Sequence, residues 1–387
     1  MPKNRGENNS FLKQRNRGLL LKLIATQQHT SRIELSRATK LTKMTVTNII
    51  SEFIEKGLVV ESSLDRTSGV GRNPIGLTIS PKAPKCIGLQ FDRNSCTAVL
   101  CDLKMNILKS NTLPIHGGTG DDLMNLFYHQ IDQMLQGEEP ILGIGVSALG
   151  PLNPRTGTLL TPPNFYHISH LPIAPLLKER YRLPVFMDNE NNCVALTESL
   201  YGNGRDYSDF LFVSVLNGVG LGIISGGKLQ HNKYGFAGEL GHVSIDYNGK
   251  PCDCGNKGCV ESYVRIPVIH QRLCRATGMD LPMAQFYTMS DNPIVDAIFC
   301  DMMDKLGCAL VSGVNLLNPQ AVIVGHALLS LPQKYIDRLE NTVNQCRIGR
   351  EYSYIPFLRP LYGNHVQFIS AACLAASHVF DGELLFD

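Results

Sequence analysis

The sequence has no apolar run approaching the roughly 18 residues that a membrane-crossing helix needs. Its start, Met1-Pro2-Lys3-Asn4-Arg5, is polar where a secretory signal carries an apolar core. Membrane insertion and export are therefore not expected, and the cytoplasm is the expected location. An excess of either charge is also missing, because 36 Lys+Arg against 34 Asp+Glu leave a formal +2. A balance so near zero argues against a polyanion partner for the chain as a whole. Nor is this a disulfide scaffold. Its twelve cysteines are diluted among 387 residues, 43% of them hydrophobic, enough for a core that needs no covalent staples. That length exceeds one compact domain, so two or three globular units are expected.

What is present is unevenly spread. Residues 1–80 hold 13 Lys+Arg and 6 Asp+Glu, a net of +7, which leaves 23 and 28, a net of −5, for residues 81–387. A basic head is joined to a mildly acidic body, and a polyanion partner is expected for the head alone. Three cysteines crowd into Cys252–Cys259, where a metal is the better reading. The other nine, among them Cys86, Cys101 and Cys308, sit in apolar stretches and are expected to be buried, reduced thiols.

In the head, Leu19, Leu20, Leu23 and Ile24 recur at helical spacing and predict a first helix from Arg15 to about Gln28. Ser31 with Glu34 three residues on forms a capping box that opens a short helix over Arg32–Thr39. Leu41-Thr42 leads into a third helix that ends at Gly57, with Val46, Ile49, Ile50 and Phe53 turned inward. Lys43, Thr45, Thr47 and Asn48 are left on its outer side near the N-terminus, and these residue types reach base edges and phosphates. Two β-prone runs follow, Leu58–Glu61 and Ile75–Ile79. The hairpin joining them carries Arg66 and Arg72 on a glycine-loosened tip suited to phosphates or a minor groove. Helix, helix, tight turn, helix and wing describe a DNA-binding domain. A helical protein-interaction domain with a charged surface is the alternative.

Pro81 and Pro84 mark a linker, beyond which the pattern becomes α/β. Strands are expected at Cys86–Leu89, Ala98–Asp102 and Ile141–Val146, with a helix near Asp121–Leu135. Glycines cluster in Asn217–Gly222 and at Val324-Gly325, read as strand ends with tight turns. More specific is Gly238-Glu239-Leu240-Gly241-His242 followed by Cys252-Asp253-Cys254 and Cys259-Val260-Glu261. Cys252, Cys254, Cys259 and His242 match a tetrahedral Zn²⁺ set, and the glycines let the loop fold its sulfurs onto one point. Four protein ligands close the shell, so a structural zinc is expected, one that also fixes the neighbouring Glu239 and Glu261. A redox-active or incidental cysteine cluster is the alternative.

These motifs, together with Pro184–Asn192, resemble the ROK family of repressors, open reading frames and sugar kinases over nearly the full length. The head resembles the winged helix-turn-helix of the repressor branch, which holds xylose and N-acetylglucosamine repressors. Ser31-Arg32-x-Glu34-Leu35 and Gly71-Arg72 carry that match, which adds Arg32 to the DNA-binding candidates. The resemblance implies an actin-like, ribonuclease-H-like α/β body of two lobes with a sugar cleft. The implied division is a head over 1–80, a linker over 81–85, a first lobe over 86–198 with the C-terminal helix 371–387, and a second lobe over 199–370. Where the family's kinases carry D-x-G-G-T to hold ATP phosphates, this chain reads Gln90-Phe91-Asp92-Arg93-Asn94, and Leu216-Asn217-Gly218 replaces their G-T-G. ATP binding is expected to be weak or absent. The kinase catalytic aspartate falls on Glu190, read here as an acceptor for a sugar hydroxyl. The same match places Asn164, Asn189, Glu239, His242 and Glu261 around the sugar.

The resulting expectation is a sugar-responsive transcriptional regulator and not an enzyme. It would repress a carbohydrate operon, bind a palindromic operator as a homodimer or dimer of dimers, and answer to a sugar or sugar phosphate. Two alternatives are an active sugar kinase with an added DNA-binding head, and a regulator controlled by a protein partner.

Overall fold

The computed structural model describes residues 9–63, 75–137, 140–231 and 235–382. The chain divides into two compact units, Met1–Glu190 with Phe368–Asp387, and Asn191–Gln367.

The first unit begins with α1 (Asn9–Ala25), α2 (Arg32–Thr39), α3 (Lys43–Glu55) and an antiparallel pair, β1 (Val59–Ser63) with β2 (Ile75–Ile79). The capping box forms as read: the Ser31 hydroxyl accepts from the Glu34 N–H at 3.3 Å, and the Glu34 carboxylate accepts from the Ser31 N–H at 3.1 Å. Thr42 caps α3 by accepting from the Thr45 N–H at 3.1 Å. Val46, Ile49, Ile50 and Phe53 are all buried. Helix α1 differs from expectation. It starts at Asn9, stops at Ala25, and leaves Leu19 exposed while burying Leu21 beside Leu20, Leu23 and Ile24. The reason is a second covering surface, the end of the C-terminal helix α12 (Val366–Phe380). A Cβ on Gly18 would lie 2.3 Å from the Phe380 carbonyl oxygen. A helix buried on two sides has no single apolar stripe, and Leu19 falls between the two.

After β2 the chain enters a sheet of order β5-β4-β3-β6-β9, from β3 (Lys85–Phe91), β4 (Ser95–Cys101), β5 (Ile107–Pro114), β6 (Ile141–Ala148) and β9 (Val185–Asn189). Strands β3, β4 and β5 are antiparallel neighbours, whereas β3, β6 and β9 run parallel. A two-residue ladder, β7 (Leu152–Asn153) with β8 (Thr158–Leu159), lies between β6 and β9 in the chain. Ile87, Leu89, Phe91, Ile144 and Val146 face α4 (Gly120–Leu135) and α5 (Ile173–Tyr181). The opposite face receives α12, and there the strands must be glycine: a Cβ on Gly145 would sit 1.8 Å from the Ala371 carbonyl oxygen. Strand β5 was not anticipated, because it is an exposed edge strand with no apolar alternation to betray it.

The second unit holds a sheet of order β12-β11-β10-β13-β14, from β10 (Phe210–Val215), β11 (Val219–Ser225), β12 (Lys228–Leu229), β13 (Ala321–His326) and β14 (Phe357–Leu358). Its main core packs Leu211, Val213, Val322 and Val324 against α7 (Glu261–Val264), α8 (Ile266–Thr277), α9 (Met283–Phe286), α10 (Pro293–Leu317) and α11 (Gln333–Cys346). The other face carries α6 (Glu190–Tyr201), whose Val194 and Ala195 meet Phe210, Phe212 and Ile323. Two readings are corrected here. Gly220 and Gly222 lie inside β11 and not at a strand end. A Cβ on Gly220 would be 2.0 Å from the Asn191 amide nitrogen, so the glycines admit α6. Cys308 is exposed, because α10 turns Leu306, Gly307, Ala309 and Leu310 inward and leaves 308 outward. Cys86 and Cys101 are buried as expected. The implied lobe boundary at 198/199 lies within α6.

Candidate functional site

On the head, the first turns of α3 present Lys43, Thr47 and Asn48 to solvent, and Met44 between them is among the most exposed apolar side chains of the chain. The sequence reading passed over Met44, although its position one residue from Lys43 on an outward-facing turn was the available signal. Thr45 is half-buried, with its hydroxyl 2.9 Å from that of Thr42. Arg32 pairs with Glu61 at 2.8 Å, so it ties α2 to the first wing strand. Arg66 and Arg72 lie outside the described residues.

In the second unit, a turn and a short hairpin follow β12. Gly238, at φ +83°, presses its backbone against the Leu221 carbonyl, and Leu240 is buried in the core beneath. The chain then folds back on itself through an Ile245 N–H bond to the Gly258 carbonyl at 2.9 Å and a Val260 N–H bond to the Val243 carbonyl at 3.0 Å. The tip curls when the Cys252 N–H meets the Asn256 carbonyl at 2.8 Å and the Gly255 N–H meets the Cys252 carbonyl at 2.9 Å. These local bonds gather His242, Cys252, Cys254 and Cys259 so that their ligand atoms all lie within 4.8 Å of one another.

The spacing can be tested against a metal. Zinc–sulfur bonds of about 2.3 Å in a tetrahedron give ligand–ligand edges of about 3.8 Å. The Cys254 and Cys259 sulfurs are 3.7 Å apart, and the Cys252 sulfur is 3.7 Å from the His242 Nδ1. Burial pushes the Cys252 thiol up, but hydrogen bonds from the Cys254 backbone and from the Cys254, His242 and Cys259 side chains bring it down to about 7. Burial and the neighbouring Cys252 and Cys254 thiols push Cys259 up to about 12. Thiols that share protons in this way are the donor set that a divalent cation displaces them from.

Glu239 and Glu261 flank this cluster. Burial holds the Glu239 carboxyl above the usual range, partly offset by His242 and reinforced by Glu261. Glu261 opens α7, and its Oε2 accepts from the Val219 N–H at 3.0 Å and would lie 2.8 Å from a Cβ on Gly218. The turn at Leu216-Asn217-Gly218 is therefore capped by a carboxylate of the chain itself. The first loop is closed in the same manner in the other unit. Asp92 Oδ1 accepts from the Asn94 and Ser95 N–H groups at 2.7 and 2.8 Å, and the Arg93 guanidinium donates to the Pro163 carbonyl at 3.1 Å. Next to that carbonyl, Asn164 is exposed with φ +55°. Asn189 ends β9 with its N–H bonded to Asp188 Oδ1 at 2.7 Å, and Glu190 opens α6. The structure thus gathers Glu239, His242 and Glu261 around the cluster, while Asn164, Asn189 and Glu190 belong to the first unit. None of the helices among the described residues is long and apolar enough to cross a membrane.

Comparison with known proteins accords with this arrangement. The xylose repressor of Bacillus subtilis is 29% identical over 361 residues, which cover 90% of this chain and 92% of that protein. The N-acetylglucosamine repressor of Escherichia coli O157:H7 is 25% identical over 400 residues, covering 98% and 96%. Among solved structures, a ROK family transcriptional regulator described as a homologue of the E. coli MLC protein superposes with a TM-score of 0.83 at 24% identity, covering 96% of this chain and 98% of that one. A ROK glucokinase from Streptomyces griseus superposes with a TM-score of 0.66 at 23% identity, covering 76% of this chain and 99% of that one. The share covered separates the two: the kinase matches about three quarters of this chain, and the regulator nearly all of it. The body therefore has the actin-like sugar-kinase fold, and with the ROK family model matching residues 86–378, the chain belongs to the ROK family.

Proposed function

We propose that this chain is a sugar-responsive, DNA-binding repressor of a carbohydrate operon, whose kinase-like body binds sugar without phosphorylating it. The observation that carries the loss of catalysis is the double self-capping. The Asn94 and Ser95 amides are taken by Asp92 and the Val219 amide by Glu261, so an incoming phosphate meets carboxylates where it needs free N–H groups. The repressor half is supported by relatives that match through head and body alike.

In this reading Lys43, Thr45, Thr47 and Asn48 enter a major groove, joined by Met44, whose thioether chain suits a thymine methyl. Arg32 supports them at the backbone, and Arg66 and Arg72 hold phosphates or a minor groove. Asn164, Asn189, Glu190, Glu239, His242 and Glu261 bind the sugar. His242 serves twice, because the ring nitrogen facing the thiols leaves the other for a hydroxyl. A Zn²⁺ held by His242, Cys252, Cys254 and Cys259 is structural and supplies rigidity and no activated water. Two heads in a homodimer read a palindromic operator, since one short recognition helix spans too few base pairs for useful specificity. The implied division into head, linker and two lobes, and a cytoplasmic location, belong to the same proposal.

Operator binding is tested by mobility shift on the promoter of the protein's own or a neighbouring operon, with a panel of hexoses, pentoses and their phosphates. One sugar is expected to change affinity by about tenfold or more, in the usual range of allosteric coupling. The same panel with ATP should give no turnover. Phosphorylation at ordinary enzyme rates, about 1–10³ s⁻¹, sinks the non-catalytic half, and absence of specific DNA binding sinks the other.

A further inference from the structure

The segment between β8 and α5 has an unusual backbone. Asn164, Tyr166, His167 and His170 have φ of +55°, +50°, +57° and +52°, so four of seven successive residues are left-handed and none is glycine. Lys40, Arg182 and Asn318 are left-handed too, but each closes the end of a helix. No helix ends within 164–170. A residue with a Cβ is disfavoured in this conformation, and a run of them persists only where the surroundings dictate it.

Two sets of contacts do so. The first is apolar: Phe165 and Ile168 are buried in the first unit's core, with the Phe165 ring 6.1 Å from that of Phe91. The Ile168 N–H donates to the Phe165 carbonyl at 2.9 Å and the His170 N–H to the Leu160 carbonyl at 2.7 Å. The second is a reciprocal clamp from the turn after β3. The Arg93 guanidinium donates to the Pro163 carbonyl, from Nη2 at 3.1 Å and from Nε at 3.3 Å. In return the Tyr166 hydroxyl donates between the Arg93 and Ile115 carbonyls, 3.1 and 3.3 Å away. Its ring lies against Gly117, where a Cβ would come within 3.1 Å. The turn is itself fixed, because the Asp92 carboxylate accepts from the Asn94 and Ser95 amides.

The clamp grips the chain immediately before Asn164 and two residues after it, and all its bonds end on backbone carbonyls. The Asn164, His167 and His170 side chains are exposed and make no hydrogen bond among the described residues. A connection whose only duty is to join β8 to α5 has no need of four disfavoured residues. Strain held from outside, with polar groups left open to solvent, is the arrangement of a preorganised binding edge. We propose that Arg93 and Tyr166 are positioning residues for sugar binding. By clamping the chain on both sides of Asn164 they set its amide before any sugar arrives, so that binding does not have to order the loop. The inference rests on the reading of Asn164 as a sugar contact.

The test is calorimetric titration of the full-length protein with D-xylose, N-acetylglucosamine and their phosphates, the sugars being those in the names of the similar repressors. The wild type is expected to bind one of the four. Asn164→Ala and Arg93→Met should each weaken that binding by about tenfold, and Tyr166→Phe, which keeps the ring on Gly117, by about threefold, as for a lost hydrogen bond. Arg93→Lys retains a cationic donor and should stay within about threefold of the wild type. Because both act through one contact, Arg93→Met added to Asn164→Ala should cost less than about twofold more. In sugar-free protein, hydrogen exchange over 164–170 should quicken about tenfold in Arg93→Met. Unchanged exchange overturns the clamp. Faster exchange with undiminished affinity, or fully additive losses in the double variant, overturns the positioning role and leaves the sugar reading of Asn164 standing. A wild type that binds none of the four, or binds equally well after Asn164→Ala, overturns that reading and this inference with it.

Discussion

The reading head and the cysteine–histidine loop are both short polar segments, yet they are stabilised in opposite ways. In the head the turns before α2 and α3 close their own hydrogen bonds, Ser31 with Glu34 and Thr42 with Thr45, and Arg17 reaches Glu52 at 3.0 Å between α1 and α3. In the loop, four ligand atoms lie within 4.8 Å of one another, two of the pairs at 3.7 Å, a spacing fit for a shared cation. The lesson is that α2 and α3 carry their caps locally, whereas the loop, on the reading proposed above, would borrow its order from an ion. Glu239 and Glu261, which flank that loop, would then inherit the dependence.

The largest expected effect breaks one side of this contrast and spares the other. Chelation, or Cys254→Ser, should lower bound zinc from about one per chain toward zero, since a site short of one thiolate loses much of the roughly 10–16 kcal/mol typical of structural zinc. Hydrogen exchange should then quicken over 238–261 and stay unchanged over 31–63. Equal loosening of both segments would show that the head is not self-sufficient.

The second effect widens the comparison to the body through pH, because a carboxyl of α6 and one of the head respond with opposite sign. Glu198, on α6, is buried with its Oε1 unpaired, and its Oε2 accepts from the Asn203 N–H at 2.9 Å. Burial raises its pKa from 4.5 to about 7, against the lowering pull of the Asn203 and Leu361 amides and of Arg205. Between pH 4.5 and 7 the folded state therefore holds a proton that the unfolded state has lost, and stability falls as pH rises through that window. The ceiling is on the order of 3 kcal/mol, and Glu198→Gln should flatten the fall in a series of urea midpoints. In the head, burial raises Glu52 but Arg17 and Lys56 outweigh it, so its pKa is lowered. Its contribution is present above pH 4.5 and lost as acid protonates the carboxylate. A body whose wild-type midpoints do not move between pH 5 and 8 would contradict the assignment to Glu198.

The same contrast explains what was legible in the chain. Ser31-x-x-Glu34 and the Cys252, Cys254, Cys259 spacing could be read because their partners lie within a few residues, so chemistry and spacing coincide. The covering of α1 could not, since Gly18 is matched by Phe380 at the far end of the chain. Gly145 reads as an ordinary strand glycine until α12 is laid on it, and Cys308 reads as core until α10 is given a rotation. Among the proposed site residues, Glu261 was legible as polar and near the cysteines. Its bond to the Val219 amide, formed across 42 residues, was not.

The smallest effect tests the head's self-sufficiency from within. Ser31→Ala removes the acceptor for the Glu34 N–H and leaves half of the capping box standing, because the Glu34 carboxylate still accepts from the backbone N–H groups of residues 30 and 31. A lost N-cap costs about 1 kcal/mol, and α2 has only 8 residues over which to spread it. Exchange over 31–39 should quicken by about fivefold, with zinc content and sugar affinity unchanged. Helix α2 is also held from elsewhere, by the buried Leu35 and by the Arg32–Glu61 pair. If the cap is its main local support, Ser31→Ala should exceed Arg32→Ala, since an exposed ion pair contributes well under 1 kcal/mol. The reverse order would mean that the wing, and not the cap, holds the helix in place.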